Sequence, residues 1–286
     1  MFASLGTVPV NRDVSLPPIM LCASTRARIF RATSLNRCVG CFGAALLLCA
    51  WMAVAQPVPV PAGSFELGDA STEPDERPAI AVRMSAFSID RSEVTSAQYD
   101  SCVNSGACSQ AHYTDGQCLM WSPPEFRRVT VPALYRDPRL PVVCVSWQQA
   151  RQYCRWRGGD LPTEAQWEYT ALAGTRNTYS WGSAVPSAAR CAPPSENKPR
   201  VPCSSGPNAW GLCDMTGNAW EWTRDRYQRD LYAFADSVDP RAPEVGRYCT
   251  IRGGGWYSGP AQLRIKNRHW FAPEVGEVSI GFRCVH

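Results

Sequence analysis

Leu161-Pro162-Thr163-Glu164-Ala165-Gln166-Trp167-Glu168-Tyr169 is the stretch that decides the fold. Leu161-Pro162-Thr163 sets an extended lead-in to a capped helix. The Thr163 hydroxyl accepts from an orphan backbone N–H, and the Gln166 side chain reaches back to the cap. The same signature stands at Thr95-x-x-Gln98 and Ser146-x-x-Gln149. Three helices are therefore expected. The second runs to about Arg157 and stops at Gly158-Gly159; the third runs to about Ala173 and stops at Gly174. Glycine just past a helix end fits a left-handed cap. Trp167 and Tyr169 are expected to support an aromatic core.

Upstream of these helices the pattern is that of strands. Val60 to Gly68 reads as a strand with a turn before it, Glu73 to Pro78 as a polar loop, and Val82 to Ile89 as a second strand. Residues 56–61 read as a short Pro-Val linker. Downstream, residues 182–207 are rich in Pro, Ser and Ala and read as a long surface loop. From Trp210 onward short aromatic runs alternate with Gly and Pro. No repeat or internal linker divides the chain, so residues 62–286 are expected to form one domain.

Composition bounds the function. Of 286 residues, 45% are hydrophobic, which excludes global disorder. Only 19% are charged, and 21 Gly with 24 Pro point to many turns held by aromatic packing. Arg26, Arg28, Arg31 and Arg37 precede an uncharged apolar run from Val39, and Ala53-Val54-Ala55 closes it with a small-x-small pattern. Residues 1–55 therefore read as an export signal. The alternative is an uncleaved anchor, which would be the chain's one membrane attachment; the stretch is at the short limit for a span. Residues 1–55 hold five Arg and one Asp, so the remaining chain balances its charges. That argues against nucleic acid, which needs a strong basic field. A secreted or periplasmic location is expected.

Past residue 55 the chain carries ten cysteines: Cys102, Cys108, Cys118, Cys144, Cys154, Cys191, Cys203, Cys213, Cys249 and Cys284. An even number in an exported chain reads as a disulfide framework. No Cys-x-x-Cys or spaced Cys/His set supports zinc. Cys102–Cys108 and Cys191–Cys203 are plausible local bridges, and Cys118–Cys144 and Cys213–Cys249 are a guess at the rest. Free Cys213 and Cys249 lying together would be the one route to an altered soft-metal site.

The ordered segments Glu93-Val94-Thr95, Pro141-Val142-Val143, Ser146-Trp147 and Leu161 to Tyr169 resemble the formylglycine-generating-enzyme, or sulfatase-modifying-factor, family. So do Trp181-Gly182, Asn208 to Leu212, Asp214 to Trp222, Arg252-Gly253-Gly254-Gly255-Trp256 and Gly281-Phe282-Arg283-Cys284. The resemblance covers nearly all of residues 58–286. It implies an α+β, C-type-lectin-like fold with little regular secondary structure. It also implies that Cys154 pairs with Cys284.

The resemblance carries two metal expectations. A calcium ion is implied at the side chains of Asp214 and Glu221 and the backbone oxygens of Gly217 and Ala219. Hard oxygen ligands in a curled loop are what calcium selects; its role would be structural. The competing reading pairs Glu221 with an Arg. The family's oxidase also binds copper(I) through two cysteines, and those positions fall on Ser258 and Leu263. Neither residue supplies the soft thiolate that copper(I) requires, so copper is not expected. His112, His269 and His286 do not form an iron site like that of the related sulfoxide synthases. A Ser258–His269–Asp225 hydrolase lacks a nucleophile elbow. Trp220, Trp256, Tyr257, Arg264 and Trp270 remain as candidates for a surface that binds an exported peptide or protein, since aromatics with Arg are typical of binding hot spots. A protein-modifying oxidase acting on exported sulfatases is the alternative function.

Overall fold

The computed structural model describes residues 57–184 and 198–286, all within one unit spanning Trp51–His286. The chain runs through β1 (Val58–Val60), β2 (Gly63–Leu67), β3 (Ile80–Met84) and β4 (Phe87–Ile89), then α1 (Ser96–Asn104), β5 (Cys118–Ser122) and β6 (Glu125–Val129). Next come α2 (Trp147–Trp156), α3 (Glu164–Leu172), β7 (Trp220–Arg226), β8 (Cys249–Arg252) and β9 (His269–Phe271). Two short strands, β10 (Gly276–Glu277) and β11 (Ile280–Gly281), complete the order. This is the expected α+β architecture of small, curled sheets.

All three helices start as their sequences dictate. Thr95, Ser146 and Thr163 each accept from the N3 backbone N–H, and Gln98, Gln149 and Gln166 each return a bond to the cap. The stop of α3 differs in one detail. Ala173 itself takes the left-handed conformation (φ 47°), followed by Gly174 at φ 77°. The Pro-Val stretch expected as a linker is strand β1, paired antiparallel with β4. Only β4 flanks it, and an edge is where a proline such as Pro59 is tolerated.

The largest sheet has the order β11-β7-β8-β9. Its β7 residues Trp220 and Trp222 enter a core with Tyr99, Tyr153, Leu161, Ile251 and Phe282. A second cluster gathers Trp167 and Tyr169 of α3 with Leu67, Met84, Ile89 and Tyr232. A third holds Tyr135, Val143, Trp256 and Val278 around the Cys118–Cys144 bridge.

Four disulfides lie among the described residues: Cys102–Cys108, Cys118–Cys144, Cys154–Cys284 and Cys203–Cys213. The last corrects two guessed pairs. Cys213 turns toward Cys203 rather than Cys249, so Cys203 is not available to Cys191. A fixed strand explains this: β8 holds Cys249 against Phe271 on one side and Arg226 on the other, inside the first core. Cys249 is a buried free thiol, and Cys191 lies outside the described residues, as does the expected signal.

Charges are buried at the heart of this frame. Arg252 is fully buried; it donates to Glu164 Oε1 at 3.0 Å, to Glu168 and to the Ile265 carbonyl at 2.8 Å, and lies over the Trp167 ring. Arg268 grips both Glu164 oxygens at 2.7 and 3.0 Å. Burial raises the Glu164 carboxyl, but Arg268 and Arg252 outweigh it and hold the group below its ordinary value. We expect Arg252→Met to lower unfolding free energy by about 3–5 kcal/mol, because it strands Glu164 and Glu168 with fewer partners. Urea unfolding reads this; a loss under about 1 kcal/mol would mean that the cluster relaxes without its central cation.

Candidate functional site

The resemblance places a pair of thiols at Ser258 and Leu263, in the segment after β8. Gly253 (φ 97°) and Gly254 (φ 79°) turn the chain sharply. A Cβ on Gly254 would lie 2.8 Å from Leu263 Cδ2, so Leu263 closes directly over this turn and is itself buried. Ser258 caps the turn from inside: its Oγ accepts from Gly255 N–H at 3.0 Å. Both positions are therefore packed structural groups. Cys249 sits at the opposite end of β8 from the glycine turn. Burial pushes its thiol up to about 12, and the nearby Arg226 only partly offsets that. Such a thiol is inert as a nucleophile or soft ligand. The soft-metal route through Cys213 and Cys249 is closed, since Cys213 is spent in a disulfide.

Beside Ser258, Tyr257 and Ser279 share a hydrogen bond of 3.1 Å, and Ser279 binds Glu277 Oε2 through both its N–H (2.7 Å) and its hydroxyl (2.5 Å). Glu277 Oε1 and Trp256 Nε1 are buried with no hydrogen-bond partner among the described residues. Burial raises the Glu277 carboxyl to about 7 despite the Ser279 donors. Sequence reasoning passed over Glu277, because a carboxylate on a two-residue strand carries no local motif.

The expected calcium loop is curled by left-handed residues at Asp214 (φ 54°), Gly217 (φ 90°) and Asn218 (φ 63°). Glu221, however, is held by Arg283, with Nε to Oε2 at 2.7 Å and Nη2 to Oε1 at 2.6 Å, and by the Trp167 indole at 2.9 Å. That is the ion-pair reading. Glu93 joins the cluster and was not anticipated as a site residue. Burial, and then repulsion from Asp214 and Glu221, raises its carboxyl well above the ordinary value. Asp214 is raised too, by burial first, against a bond from the Cys203 N–H. Arg283 acts on all three carboxylates and Arg200 also on Asp214, and Glu93 Oε2 is buried without a hydrogen-bond partner among the described residues. Carboxylates are the donors a hard cation takes, although both Glu221 oxygens are already spent on Arg283. Among the described residues no three acidic, His or Cys side chains converge as a ligand set, so backbone oxygens would have to contribute.

The five candidate binding residues are not gathered. Trp220 is buried in the first core, edge-on to His269. Trp256 packs in the third, against Tyr135 and the half-buried Tyr257. Trp270 is exposed and stacks on Tyr248 at 4.3 Å. Arg264 alone lines a large cavity, of about 650 Å3, where it donates to both Glu76 oxygens. Most of that cavity is built by β2, Tyr169 and Leu172 of α3, the loop 174–178 that follows, and Trp210.

Residues 50–286 match the sulfatase-modifying factor enzyme 1-like domain. The chain is 30% identical to the formylglycine-generating enzyme of Streptomyces coelicolor, over 80% of this chain and 88% of that relative. It is 32% identical to the hercynine oxygenase of Mycolicibacterium smegmatis, over 78% of this chain and 59% of that relative. The solved structure of PvdO from Pseudomonas aeruginosa superposes with a TM-score of 0.66 at 28% identity, covering 79% of this chain and 92% of that one.

The Glu277 carboxyl makes a pH signature. Its folded value of about 7 exceeds the ordinary 4.5, so the native state keeps a proton that the unfolded chain has released. Its stabilising effect is full below about pH 4.5 and is lost as pH rises to about 7, a change of about 3 kcal/mol at about 1.4 kcal/mol per unit. Asp225, raised to about 6 by burial and then by Glu164, slopes the same way. Glu277→Gln should flatten the decline between pH 4.5 and 7 and leave the Asp225 part. Parallel curves for both proteins in denaturant titrations would contradict this assignment.

Proposed function

The chain belongs to the sulfatase-modifying factor enzyme 1-like family, and from that premise we propose that this member recognises an exported peptide or protein without oxidising a thiol. The reading is carried by the filling of the two metal-binding positions with Ser258 and Leu263. A hydroxyl bonded to its own turn and an isobutyl group packed on Gly254 cannot hold copper(I). The relatives that are formylglycine-generating enzymes favour the rival reading, a protein-modifying oxidase; the filled positions oppose it.

The disulfides suit an oxidising compartment outside the cytoplasm, as an exported accessory domain requires. Calcium would serve as a structural ion. Asp214 and Glu93, with the backbone oxygens of Gly217 and Ala219 and the Glu221 carboxylate shared with Arg283, would hold it, and the ion's charge would offset that of the carboxylates. No step of recognition runs through the ion.

Two measurements test this. The protein, incubated with copper(I), oxygen and a cysteine-containing sulfatase peptide, should bind the peptide saturably and leave its mass unchanged. Conversion of the cysteine to formylglycine would overturn the reading. Adding a chelator should lower the melting midpoint, because an ion that binds only the native state stabilises it; an unmoved midpoint would remove calcium from the account.

A further inference from the structure

The cavity of about 650 Å3 lies on β2, away from the packed turn at Ser258 and Leu263, neither of which lines it. Its size is that of an organic ligand site. Phe65, Tyr169 and Trp210 form a continuous aromatic wall, with Phe65–Tyr169 centroids 5.0 Å apart and Tyr169–Trp210 4.9 Å apart, edge-on. Tyr169 is fixed by a bond from its hydroxyl to the Pro61 carbonyl at 3.2 Å, and Gly63 gives it room, since a Cβ there would lie 2.4 Å from that oxygen.

The strand beside this wall has an open edge. Among the described residues β2 pairs with β3 alone. On β3, Arg83 donates its N–H to the Ser237 carbonyl and accepts from the Asp239 N–H at its own carbonyl, each at 2.9 Å, on the side away from β2. Antiparallel partners alternate between bonded and non-bonded pairs. Ser64, opposite Arg83, therefore turns its N–H and C=O outward, and so does Glu66 two residues on. The Glu66 carbonyl bears this out: it takes the Lys266 ammonium from the outer side. The Ser64 N–H and C=O have no partner among the described residues. Natural sheets cover or blunt such an edge; here it borders a cavity instead.

We propose that this cavity binds an extended peptide, which adds a strand to β2 through Ser64 and Glu66 and lowers alternate, aromatic or large apolar side chains against Phe65, Tyr169 and Trp210. Strand addition supplies affinity from the main chain and specificity from alternate side chains. A small aromatic molecule would fill the wall but leave the Ser64 N–H and C=O unpaired. The proposal deepens the accessory reading and rests on it, because it names where the exported peptide lies.

The probe is an acetylated, amidated pentapeptide of alternating threonine and phenylalanine, titrated into the full chain. Its control is the same peptide with every amide N-methylated. Calorimetry reads total binding, and NMR reads the Ser64 amide and the Trp210 indole. The probe should shift both signals, and N-methylation should weaken binding at least tenfold. Ser64→Pro removes an N–H that bonds nothing in the fold, so it should keep the melting midpoint while weakening the probe at least tenfold; Trp210→Ala should weaken it similarly. Undiminished binding by Ser64→Pro, or equal binding of the N-methylated control, overturns the proposal. So does a Ser64 shift produced by self-association without peptide, or no binding of the probe. Peptide binding that leaves Ser64 unmoved sinks this site while the accessory reading stands. Formylglycine formation in the copper assay sinks that reading without altering the Ser64 result.

Discussion

A guanidinium taken out of water must be met by acceptors, and three of them, Arg252, Arg268 and Arg283, impose that demand on this fold, which leaves Arg252 Nε without a partner among the described residues. Arg252 ends β8 and reaches α3; Arg268 precedes β9 and reaches the same helix; Arg283 follows β11 and reaches β7. Buried ion pairs give little net stability, but they tolerate few alternative registers. If α3 turned or β8 slipped by one residue, Glu164 and Glu168 would leave their partners. In a protein of short strands and long connections, that intolerance does the work that long hydrogen-bonded ladders do elsewhere.

The same constraint shapes the sites. Arg252 opens the Gly253-Gly254 turn, and the turn is where Leu263 and Ser258 pack. The turn is thus closed by van der Waals contact and a hydroxyl cap. Arg283 likewise occupies Glu221 at the mouth of the curled acidic loop, and the unbalanced charge passes to Glu93 and Asp214. The cavity beside β2, by contrast, combines an aromatic wall with an open strand edge.

The helix starts were legible in the sequence because a capping box is a contact between residues three apart. That positions 258 and 263 carry no thiol was legible for a similar reason: the chemistry of a side chain needs no fold to be recognised. Strand β1 was misread as a linker because proline signals a break locally, while only its pairing with β4 makes it an edge. The Cys203–Cys213 bridge was missed because connectivity among several cysteines depends on which of them the sheet immobilises. Glu93 sat in a quoted motif, yet its place against Asp214 and Glu221 joins residues more than a hundred positions apart.

By itself, then, the sequence determined the family's α+β frame, the three capped helices and the absence of cysteine at positions 258 and 263, since each is written in neighbouring residues or in side-chain chemistry. Tertiary structure alone decided that Arg283 claims Glu221, that Cys249 is sealed at the far end of β8, and that β2 keeps an open edge over an aromatic cavity. These outcomes depend on which distant segments meet, and long-range packing and desolvation settle that, not local pattern.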